Sequence, residues 1–199
     1  MEDRQSIRRA LEVIAEAAQP TGAVWLVGGS AGLMLRGLQL AQLPRDLDLY
    51  ADHEDARLLH QALAPYALDE QQENVSGIYA SVLSHYLIAG VQVELVGGFV
   101  VTTQEDRYQV EVREALYPLQ LELSCGTRRI GLVPLAHEMW FNMLRGRRDR
   151  VELIAAAVRE ERPVHQAAFD CIEARNPLSS ATMAKVHACL EQAGAEGLL

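Results

Sequence analysis

Two aspartates two positions apart, in Asp46-Leu47-Asp48-Leu49-Tyr50, are the residues best placed for chemistry. Strand periodicity puts both carboxylates on one face and both leucines on the other. Like charges this close repel, so a partly buried strand that carries them needs compensation. A divalent cation supplies it, since Mg²⁺ takes a few carboxylate oxygens together with waters and substrate phosphates. An exposed edge strand with acids kept for solubility fits the pair alone equally well.

Two further features narrow the choice. Gly28-Gly29-Ser30 follows the short apolar run Ala23-Val24-Trp25-Leu26-Val27 and leads into a helical stretch. Glycines there let the backbone turn sharply and approach a ligand, and exposed amides with a serine hydroxyl suit a phosphate. Downstream, Val91-Gln92-Val93-Glu94-Leu95-Val96 carries an acid on the face opposite Val93 and Leu95. An acid in an apolar run is costly unless paired or bound to metal. The plainer alternative is a solvated face shared with Gln92. If Ala89-Gly90 is a two-residue hairpin turn, His85 pairs opposite Glu94 on that face; a one-residue slip would move it away.

The elements that must position these groups read as follows. Residues 4–18 form an amphipathic helix with Ile7, Leu11, Ile14 and Ala18 inward, closed by Pro20 and Gly22. The apolar run 23–27 is a strand, a helix extends from the glycines to about Leu40, and 46–50 is a second strand. Asp52 and Asp55 start a helix whose stripe is Ala56, Leu59 and Leu63, ended by Pro65. Strands are expected at 78–88, 91–96, 99–103, 108–112, 119–124 and 128–132, and helices at 134–145, 149–160, 163–174 and 179–192, with Gly194 near the last end. The seam falls near residue 133, dividing an α/β core at 1–133 from a helical region at 134–199.

Composition sets the outer limits. The chain has 199 residues, 49% hydrophobic and 23% charged, as an ordinary globular protein does. Cys125, Cys171 and Cys189 fit neither a zinc pattern nor a disulfide framework, so a reducing cytoplasm is the expected location. No signal peptide opens the sequence, and Arg36, His85 and Glu94 interrupt the apolar stretches, so no membrane span is expected. A net charge of −9 argues against extended nucleic-acid binding. A local basic cluster, Arg145, Arg147, Arg148 and Arg150 around Gly146, could still serve one triphosphate, with Asp149 orienting an arginine, or could be a solvated helix junction. Arg45 could touch a phosphate or pair with Asp46. His53, His60, His137, His165 and His187 lack ligand spacing, and Trp25, Trp140 and Phe141 read as core.

The order Gly28-Gly29-Ser30, Asp46-Leu47-Asp48, then an acid on a later strand resembles the DNA polymerase beta-like nucleotidyltransferase superfamily. The stretch from Val133-Pro134-Leu135 through Arg145-Gly146-Arg147-Arg148-Asp149 to Leu153-Ile154 is similar to small bacterial members related to AbiEii-type toxins. The resemblance covers roughly 20–155. It implies a mixed, mainly antiparallel sheet flanked by helices, with a C-terminal helical region. It implies Asp46, Asp48 and Glu94 as ligands of a two-metal Mg²⁺ or Mn²⁺ site. Gly28, Gly29 and Ser30, helped by Arg45 and Arg145, would bind an NTP. The implied reaction moves an NMP to an acceptor hydroxyl on a small molecule, protein or RNA end. The third acid is Glu where Asp is more usual, the interval from Gly29 to Asp46 is longer, and Asn142 stands where a lysine is often found. Those differences keep a second class in view, a catalytically silent nucleotide-binding module of a toxin–antitoxin or phage-defence pair. The C-terminal helices offer a lid, a dimer surface or a partner site.

Overall fold

The computed structural model describes residues 2–191. In chain order the elements are α1 (Glu2–Ala18), β1 (Trp25–Gly28), α2 (Gly29–Leu35), β2 (Leu47–Ala51), α3 (His53–Leu63), β3 (Gln72–Ser76), β4 (Tyr79–Ile88), β5 (Val91–Thr102), β6 (Arg107–Gln109), β7 (Leu121–Cys125), β8 (Arg128–Leu132), α4 (Leu135–Leu144), α5 (Arg148–Glu160), α6 (Arg162–Arg175) and α7 (Ser180–Glu191). The eight strands make one mixed sheet in the order β3-β4-β5-β2-β1-β8-β7, with β6 paired to β5. The chain divides into two compact units, one of residues 1–100 and 109–133, the other of 101–108 and 134–199. Among the described residues no helix is long and apolar enough to cross a membrane.

In the first unit, alternation along the central strands decides which face is core. Val27, Leu47, Leu49, Val93, Leu95, Ile130 and Leu132 are buried together with Ile7, Leu11 and Ile14 of α1 and Ala56, Leu59 and Leu63 of α3. Each such leucine contributes about 1.5–3 kcal/mol when fully buried. The intervening residues of β2 and β5, Asp48 and Glu94 among them, therefore fall on the opposite face.

Several boundaries differ from the sequence expectation. The helix expected to reach Leu40 stops at Leu35. Gly37, with φ +96°, permits a Schellman closure in which Leu38 N–H donates to Leu33 O at 3.1 Å and Gly37 N–H to Met34 O at 3.0 Å. The two strands expected at 91–96 and 99–103 are one, because pairing with β2 continues through Gly97, opposite Ala51. β3 was not expected as a strand; all five of its residues are exposed, so it lacks an inward apolar alternation. The strand expected at 108–112 ends at Gln109, and Val112–Leu116 forms a wide helical turn. Its first amides, of Val112 and Arg113, donate to the Asp52 carboxylate at 2.8 and 2.9 Å. Asp52 thus stands at the N-terminus of α3 while its side chain holds a distant turn. Buried Asp55 pairs with Arg113 at 2.6 Å. The Gly194 helix end lies outside the described residues.

The second unit is built on α4, whose residues Leu135–Asn142 are all buried, Trp140 completely. The turn between β5 and β6 anchors the start of α7. Asp106 accepts from the Ser179 amide at 2.7 Å and from the Thr182 hydroxyl at 2.8 Å, and Arg107 N–H donates to Pro177 O at 3.0 Å. His137 sits fully inside, bonded through Nδ1 to the Tyr108 hydroxyl at 2.7 Å and stacked on Phe141.

Burial holds the His137 imidazole neutral by lowering its pKa from 6.5 to about 3. Between those values the unfolded chain binds a proton that the folded chain does not, so stability is lost as pH falls from 6.5 toward 3. His137→Leu removes the Tyr108 bond and should cost about 1–3 kcal/mol at neutral pH. Below the imidazole's ordinary pKa the wild type should lose stability faster than the variant, by roughly 1 kcal/mol per pH unit. Urea unfolding of both proteins across that range measures the difference, because the carboxylates common to both cancel.

Candidate functional site

The site residues are set side by side by strand register. Gly28 at the end of β1 pairs with Asp48 of β2 in the antiparallel ladder. Asp48 pairs in turn with Glu94 of β5 in a parallel ladder. Partners in adjacent strands project to the same face, so a glycine, an aspartate and a glutamate form one row across three strands. Asp46, half-buried, immediately precedes β2.

The glycine that follows this row is sterically required. Gly29 has φ +61°, and a Cβ built on it would lie 1.8 Å from Asp48 Oδ2. Only a residue without a side chain lets the start of α2 close over the carboxylate. Gly28 is buried, while Gly29 and Ser30 are partly accessible beside Asp48.

The carboxylates influence one another across the row. Burial raises the Glu94 pKa, the charge of Asp46 raises it further, and His85 offsets part of the rise. The Glu94 side chain is 36% exposed, less than its exposed neighbour Gln92, and it shares that face with His85. Among the described residues no group of three or more His, Cys, Asp or Glu side chains is drawn together closely enough to hold a metal ion. As a donor set, carboxylate oxygens in one row beside a glycine-cradled helix start match the preference of Mg²⁺ for hard oxygen ligands.

His85 occupies the place the hairpin predicts. Ala89 and Gly90 turn between β4 and β5 with φ 51° and 80°, and His85 Nε2 lies 3.8 Å from Glu94 Oε1. On its other side, the ring's Nδ1 is 2.5 Å from Asp69 Oδ2, and the His85 backbone N–H donates to Asp69 Oδ1 at 2.7 Å. Asp69 is the residue that sequence reasoning missed. It lies between α3 and β3, where no periodicity singles it out.

The basic candidates are distributed differently. Arg45 is exposed, and among the described residues it forms no ion pair, with Asp46 or any other acid. In the second unit, the Arg145 guanidinium lies over the Phe141 ring at 4.7 Å. Asp149 orients Arg147 through two bonds of 3.0 Å, as the sequence suggests. Asn142 is buried and donates to Glu138 O at 2.8 Å, so its amide is occupied within α4. Other histidines have structural partners: His60 bonds to the Tyr86 hydroxyl at 2.7 Å, and His187 lies 3.1 Å from Glu173. Of the aromatic residues read as core, Trp140 and Phe141 are buried and Trp25 half-buried.

Gly29→Ala combines left-handed strain with a clash, and should destabilise the protein by about 1–3 kcal/mol. Gly37→Ala shares the positive φ but has nothing within 4 Å of its Cβ, so it isolates the strain alone. Thermal unfolding should show the larger loss for Gly29→Ala. Equal losses would mean that Asp48 moves aside freely.

No protein-family model and no curated protein sequence matches the chain. Solved structures do. The chain superposes on TM1012, a candidate nucleotidyltransferase from Thermotoga maritima, with TM-score 0.60 and 18% identity, covering 77% of this chain and 92% of that one. It also superposes on the solution structure of the antibiotic-resistance factor ANT(2″)-Ia, with TM-score 0.52 and 13% identity over 94% and 99% of the two chains. Identities this low speak for architecture alone, and the architecture of this chain is the nucleotidyltransferase fold.

Proposed function

We propose that the protein transfers an NMP from an NTP to an acceptor hydroxyl, using Asp46, Asp48 and Glu94 as ligands for Mg²⁺ or Mn²⁺. The observation that carries this reading is the register row of Gly28, Asp48 and Glu94, which sets two acids on adjacent strands of one sheet face beside the close-approach Gly29. When bound, the divalent cations would supply charge neutralisation at the attacking and leaving oxygens.

The chain's own residues do the positioning. Gly28 and Gly29 bring the backbone close to Asp48, so a phosphate and a carboxylate-held cation can share one small space. Ser30 adds a hydroxyl at the same turn, and exposed Arg45 adds a positive charge in the same unit. The bond from the acceptor oxygen to the α-phosphorus forms as the bond to pyrophosphate breaks, and the acceptor proton passes to a base or to water. Positioning and charge neutralisation account for most of the rate in phosphoryl transfer. An acceptor that is a small molecule or a protein suits the net charge of −9 better than a nucleic acid does.

One observation favours a second reading, a nucleotide-binding module without catalysis: the Asn142 amide is spent on Glu138 and supplies no charge. Incubation with each α-labelled NTP, Mg²⁺ or Mn²⁺ and cell extract separates the two. Label transfer should occur with the wild type and fall roughly a hundredfold or more in the Asp46→Asn, Asp48→Asn double variant. A metal-dependent thermal shift with NTP but no transfer supports the binding module. No response to metal or NTP defeats both.

A further inference from the structure

We propose that Asp69 and His85 form a positioning pair that holds Glu94 in its working orientation, an inference that rests on the proposed metal-site role of Glu94. Three features carry it. The first is the clamp on His85. One carboxylate takes both the backbone N–H and the ring Nδ1 of that residue, at 2.7 and 2.5 Å, which fixes the ring plane and leaves Nε2 turned toward β5. The clamp is itself anchored, since Leu68 N–H donates to His85 O at 2.8 Å and Ala67 bridges to Tyr86, so the segment carrying Asp69 is tied along β4.

The second feature is where the fixed ring points. Nε2 lies 3.8 Å from Glu94 Oε1, and the same glutamate is the register partner of Asp48. The order across the face is therefore Asp69, His85, Glu94, Asp48. The His85 side chain is 39% exposed, so water could satisfy it, and stability alone does not call for a carboxylate on each side.

The third is the identity of residue 94. Glutamate has one more methylene and one more torsion than aspartate, so it gives up more rotamer freedom when held in a single geometry. A ring fixed from behind by Asp69 supplies the restraint that the longer side chain lacks. Partners one shell out from a metal ligand act in this way, and their loss typically costs about 10–100-fold in metal affinity.

The test is a double-variant cycle read by Mn²⁺ binding, followed by electron paramagnetic resonance in the presence of ATP. His85→Phe should weaken Mn²⁺ binding about tenfold with little change in Tm, and Asp69→Asn should weaken it in the same direction. In a Glu94→Gln background, His85→Phe should add less than about twofold, because the residue through which it acts is already gone. Fully additive losses, or an unchanged affinity in His85→Phe, would overturn the proposal. A metal-free readout runs beside it. In ¹⁵N-histidine NMR at one fixed pH, the His85 ring signals, assigned by their loss in His85→Phe, should move in both Glu94→Gln and Asp69→Asn. Signals that stay put in Glu94→Gln refute the link. A wild type that binds no Mn²⁺ sinks the metal reading of the site, and the positioning claim is then decided by the NMR result.

Discussion

Everything at the candidate site depends on the register of three strands. Val27, Leu49 and Leu95 are buried under α1 and α3, and that burial obliges Gly28, Asp48 and Glu94 to face the other way. A slip of one residue in β2 would drive Asp48 into the apolar layer and move a leucine to the face that carries Glu94. Burying an unpaired carboxylate costs several kcal/mol, and losing a buried leucine adds its transfer energy to that. The hydrophobic core is thus what holds the acids in a row.

The acids of the first unit fall into two kinds. Asp52 and Asp55 are spent within the fold, one on the amides of Val112 and Arg113, the other on the Arg113 guanidinium. Asp48 and Glu94 are instead register partners on adjacent strands, and burial together with the Asp46 charge makes Glu94 harder to ionise. Local sequence does not separate the two kinds. Asp52 sits only four residues from Asp48, yet its partners come from the other end of the unit.

Periodicity was readable wherever one face of an element is buried. α1, α3, β1, β2, β4 and α4 through α7 lie within a few residues of the positions their patterns predict. It failed where burial does not govern the pattern. β3 is exposed throughout and is a strand only because β4 pairs with it. The turn after Gln109 takes its form from the Asp52 carboxylate, which a local reading cannot see. The helix expected to run to Leu40 stops at a glycine-closed end, a signal present in Gly37 but outweighed by the leucines after it.

By itself, then, the sequence determined that Asp48 stands on a strand with Asp46 just before it, that glycines open a helix, and that Glu94 stands on a later strand. These are consequences of short-range periodicity. The tertiary structure alone decided that β2 lies between β1 and β5, that Asp48 faces Glu94 across a parallel ladder, and that Asp69 reaches back to fix His85. Parallel neighbours and loop-to-strand contacts join residues far apart in the chain. Their pairing is chosen by how the whole core packs, and no local pattern encodes it.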